Sequence, residues 1–85
     1  MLKIDEYIWQ VELYLMKRYG TMATARLIDP LAWYIRTGRA SADFEKRLMT
    51  IKPYVIGRLL AKGDSMSHDE MVNLVKRKVN ERRSA

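Results

Sequence analysis

His68 is the only histidine in the chain, and there is no cysteine, so the usual metal ligands and nucleophile–base pairs are scarce from the outset. It lies in Ser67-His68-Asp69-Glu70, where Ser67 and Glu70 have the spacing of a capping box at a helix start. A metal site needs several ligands at compatible spacing, and nothing accompanies His68 in that way. The acids Asp5, Glu6 and Glu12 form the one other titratable cluster, but Asp5 and Glu12 fall in a polar seam where solvated charges belong. The chain has no glycine-rich phosphate loop, no nucleophile elbow and no dinucleotide fingerprint. These residues predict a protein that is not an enzyme and holds neither metal nor cofactor.

Cationic residues offer a second chemistry, the binding of phosphate. The formal charge is +6, and it is unevenly spread: −2 over residues 1–13, +7 over 14–62, −3 over 63–70 and +4 over 71–85. Such excess draws polyanions, and it also keeps small proteins soluble. In Arg36-Thr37-Gly38-Arg39-Ala40-Ser41 two arginines flank a glycine before a helix start, where free N–H groups suit a phosphate. Lys46, Arg47, Lys52, Arg58 and Lys62 continue a basic surface over residues 36–62, and Lys76, Arg77, Lys78, Arg82 and Arg83 make the end of the last helix basic. A conventional helix-turn-helix fits poorly. The connector Lys62 to Ser67 is long, and the recognition helix would begin with His68, Asp69 and Glu70, acids that face phosphates badly.

The first helix must position any partner-binding surface, because it carries two apolar stripes. At about 100° per residue, Ile4, Tyr7, Ile8, Val11, Tyr14, Leu15 and Tyr19 share one arc, while Leu2, Trp9, Leu13 and Met16 share a nearly opposite one. A helix with two such faces needs cover on both. Either it lies at the centre of the fold, or Leu2, Trp9, Leu13 and Met16 form an interface for another protein or a second copy, as in a homodimer. The expected function is therefore that of a small interaction or regulatory protein of adaptor or inhibitor type. The alternative is a regulator that binds DNA or RNA through the basic surface of residues 36–62 and the last helix.

The remaining elements follow from caps and periodicity. Gly20 after Lys17-Arg18-Tyr19 ends the first helix, Asp29-Pro30 breaks or kinks the second, and Ser41 caps the third. The pattern predicts an all-α bundle of four to five short helices, over about 3–19, 22–37 with a break or kink at Pro30, 42–51, 53–62 and 68–82. Helix 1 is expected near the centre, and Trp33 in the apolar run Leu31 to Ile35 is expected in the core. Residues 1–85 suffice for a single domain, with a frayed tail over 83–85. No apolar run reaches the roughly 20 residues of a membrane span. The acidic start and the lack of cysteine predict a cytoplasmic protein.

Overall fold

Gly20 turns the chain inside its first helical run. It has φ 85° and ψ 171°, a conformation open essentially to glycine alone, and it interrupts an otherwise helical run of 33 residues. The computed structural model describes residues 3–84, with side chains through residue 81. Among them are four helices: α1 (Ile4–Arg36), α2 (Ala42–Leu48), α3 (Pro53–Lys62) and α4 (His68–Ser84). We refer to residues 4–19 and 21–36 as the two arms of α1. The protein is an all-α bundle, as the periodicity predicts. Of the tail expected to fray, Arg83 and Ser84 continue α4, and Ala85 lies outside the described residues.

Of the break or kink expected at Pro30, a break is absent, since Gly20 is the only residue inside α1 with non-helical dihedrals. A proline removes one helical hydrogen bond, but the Pro30 ring is buried together with Leu27, Ile28 and Leu31, and that packing holds the arm helical through it. The third helix is also shorter than its sequence pattern. It ends at Leu48, after which a turn carries Ile51 into the core and Pro53 opens α3 at its first turn.

The two arms of α1 and helices α3 and α4 each give a stripe to a single core, and α2 adds Leu48. Tyr7, Ile8, Val11 and Leu15 come from the first arm of α1, and Leu27, Ile28, Leu31 and Ile35 from the second. Ile56 and Leu60 face them from α3, and Met71, Val75 and Val79 from α4, at the i, i+4, i+8 spacing of one helical face. The Tyr7 hydroxyl donates to the buried carbonyl oxygen of Ile51 at 2.8 Å and so ties α1 to the turn before α3. Burial pushes this phenol's pKa well above the ordinary tyrosine range. α1 packs most extensively on α3, where Gly57 lets the helices approach: a Cβ there would lie 2.9 Å from Cδ2 of Tyr14.

Both predicted caps form. Ser41 Oγ accepts from the Phe44 N–H at 3.0 Å, while Ser67 Oγ accepts from the Glu70 N–H and Glu70 Oε1 accepts from the Ser67 N–H, each at 3.3 Å. At the other end of α3, Arg26 donates two hydrogen bonds to Asp64, at 2.8 and 3.2 Å. These bonds hold the Asp64 carboxyl below its usual range. They also anchor the second arm of α1 to the α3–α4 connector.

Candidate interaction surfaces

The first arm of α1 is not enclosed, contrary to the central position expected for it. Its inner stripe is buried, whereas Trp9 keeps 58% of its surface exposed, Met16 44% and Leu13 37%. The residues are spaced i, i+4 and i+7 and make one outward face. Leu2 lies outside the described residues. Tyr19, expected on the inner arc, is also exposed, because the core does not extend past Leu15 along this arm. Helical phase places Glu6, Gln10 and Lys17 along one edge of the outer face, and Asp5 and Glu12 along the other.

Trp33 is a clear correction. The second arm buries Leu27, Ile28, Leu31 and Ile35, and at 100° per residue Trp33 points away from that stripe, leaving 67% of its surface exposed. It stands between two hollows. One, of about 290 Å³, is lined by Trp33, Tyr34, Arg39, His68, Asp69 and Lys76 among others; the next, of about 420 Å³, by Asp29, Ala32, Trp33, Arg36 and His68. The Lys76 ammonium sits 5.2 Å from the Tyr34 ring centroid, and Phe44 meets the same ring edge-on at 5.5 Å. Thus Arg36 and Arg39, near the end of α1, and Lys76, from the distant α4, gather around one exposed indole. At the helix start beside them, Ser41 Oγ accepts from one of the N–H groups expected to suit a phosphate, that of Phe44.

No relative answers to this arrangement. No family model, no curated protein and no solved structure is significantly similar to the chain.

The other predicted cations are spread over α2, α3 and α4. Arg47 is tied to Asp43 in an ion pair one helical turn apart, and Lys46 is exposed on the same short helix. Lys52 precedes α3 and lines a hollow with Lys78 of α4, while Arg58 lies one turn along α3 from Tyr54. Arg77 lines a hollow between α3 and α4 that also contains Glu81. The side chains of Arg82 and Arg83 lie outside the described residues. Sequence reading missed the role of the tyrosines in ordering these cations. Arg18 lies 5.8 Å from the Tyr14 ring centroid and Arg58 5.9 Å from that of Tyr54, and the two rings are 6.5 Å apart. The i, i+4 spacing of Tyr14 with Arg18 and of Tyr54 with Arg58 was the available signal.

Among the described residues no three His, Cys, Asp or Glu side chains gather as a metal site requires, and no helix is long and apolar enough to cross a membrane.

Proposed function

We propose that this chain is a non-enzymatic interaction protein that docks through the outer face of α1, and that its first partner is a second copy of itself. One observation carries the reading: Trp9, Leu13 and Met16 stand exposed in a single stripe on a helix that buries Tyr7, Ile8, Val11 and Leu15 on its opposite side. Tryptophan and methionine are enriched where protein surfaces meet, and a rigid helix presents them without ordering cost. Charge favours a copy of the same helix. In an antiparallel pair related by a twofold axis, equal edges face each other, so Glu6 of each protomer meets Lys17 of its partner. On the other edge Glu12 approaches its own counterpart, a like-charge contact worth a few tenths of a kcal/mol in solvent, which keeps the association reversible. The lack of cysteine suits a reducing compartment, and the reading places the protein in the cytoplasm.

Sedimentation over a concentration series tests the proposal. The expected result is a monomer–dimer equilibrium that Trp9→Ala and Leu13→Asp shift to monomer with helicity unchanged. A wild-type protein that stays monomeric at hundreds of micromolar overturns self-association. Loss of helicity in both variants would instead assign the outer stripe a role within the fold.

A further inference from the structure

We infer that a separate face, built from the outer side of α3 and the end of the first arm of α1, binds single-stranded nucleic acid. Tyr54, Arg58 and Lys62 are exposed at i, i+4 and i+8 of α3, so they form a ridge with steps of about 6 Å. Arg18 joins the ridge from α1: with Tyr19, Arg58, Ala61 and Lys62 it lines a hollow of about 350 Å³. The ridge continues past Tyr54 into a second hollow of about 340 Å³, where Lys52 and Lys78 meet. No acidic side chain lines either hollow among the described residues, and the two ion pairs found there, Arg26–Asp64 and Arg47–Asp43, leave these cations unused.

The aromatic rings decide the kind of polyanion. Tyr14 lies in the seat left by Gly57, Arg18 and Arg58 lie over the rings of Tyr14 and Tyr54, and Tyr19 and Tyr54 are both nearly half exposed. Each guanidinium is thus held at a ring by a cation–π contact with its donors free for phosphate oxygens. A single strand offers both features that the ridge matches, regularly spaced phosphates for the cations and unstacked bases for the rings. A duplex keeps its bases stacked inside, and an acidic polypeptide has no rings to lay on Tyr19 or Tyr54. This face lies across α1 from Trp9, Leu13 and Met16, so it does not depend on the dimer proposed above.

The test is fluorescence anisotropy of a labelled 20-nucleotide oligothymidine with the full chain over a salt series, beside a duplex of equal length and polyglutamate. Four or five phosphate contacts predict a log–log salt slope of about −3, with Arg18→Ala and Arg58→Ala each reducing its magnitude by about 0.7. Tyr54→Leu is expected to weaken binding at least roughly fivefold and leave the slope unchanged. Leu13→Asp is expected to bind as wild type. No anisotropy change at low salt and tens of micromolar protein overturns the inference. So does equal or tighter binding of the duplex or of polyglutamate, or a salt slope that both arginine variants leave intact while circular dichroism shows them folded.

Discussion

Replacing Tyr7 with phenylalanine tests the internal logic of the fold at one atom. The ring is fully buried and its hydroxyl donates at 2.8 Å to the Ile51 carbonyl oxygen. Tyr7→Phe keeps the ring's packing, removes that bond and leaves a carbonyl buried without this donor, at a cost of about 1–3 kcal/mol. For a domain of this size each kcal/mol lowers Tm by about 4–8 °C, so thermal denaturation followed by circular dichroism at neutral pH resolves the loss. Alkaline pH supplies a second measurement. Burial raises the phenol's pKa in the folded state, so above about pH 10 the unfolded chain releases a proton that the folded chain retains. The unfolded state then binds fewer protons, and stability falls as pH rises, by at most about 1.4 kcal/mol per pH unit from this group. Below pH 10 the phenol is neutral in both states and its contribution is constant. Tyr7→Phe is therefore expected to be less stable than wild type at pH 7 and to lose stability less steeply above pH 10. A Tm within 2 °C of wild type at pH 7, or equal alkaline slopes for the two proteins, would refute the reasoning.

Further outcomes follow from other contacts. Ser67→Ala removes the acceptor for the Glu70 N–H and should cost about 1 kcal/mol by chemical denaturation, with an unchanged m-value. Glu6→Lys and Lys17→Glu should each weaken the α1 dimer in sedimentation, while the double variant restores it to near wild type, because both reciprocal pairs are re-formed with reversed sign. Failure of the double variant to recover would rule out the antiparallel arrangement.

The sequence made the caps and the inner stripes readable because each rests on residues close together in the chain. Ser41, Ser67 and Glu70 satisfy local backbone or side-chain groups within one turn, and Met71, Val75 and Val79 follow a helical period. Pro30 signalled a break or a kink, and no break forms there because the buried ring packs with the arm's own apolar side chains. Trp33 misled. Five consecutive apolar residues suggest uniform burial, but a helix can turn only part of its circumference inward, and Leu31 and Ile35 claim that part. Candidate surfaces were legible only in part. The exposure of Trp9 depended on whether other helices cover it, and the meeting of Arg39 with Lys76, or of Arg18 with Arg58, depends on packing between elements that no local pattern encodes.

Gly20 holds more than a corner. Every other residue of α1 already has helical dihedrals, and a straight helix of 33 residues would be about 50 Å long, against a longest dimension of 31 Å for the folded molecule. A Cβ at position 20 would touch nothing within 4 Å, so only the backbone opposes a side chain there, while helix propensity gains up to about 1 kcal/mol for alanine. If that one residue became helical, the two arms would part and each would lose the core they share. The rod could recover its burial only by lending an arm to another molecule and accepting one in return. A single dihedral pair thus separates a self-contained fold from one completed by reciprocal exchange.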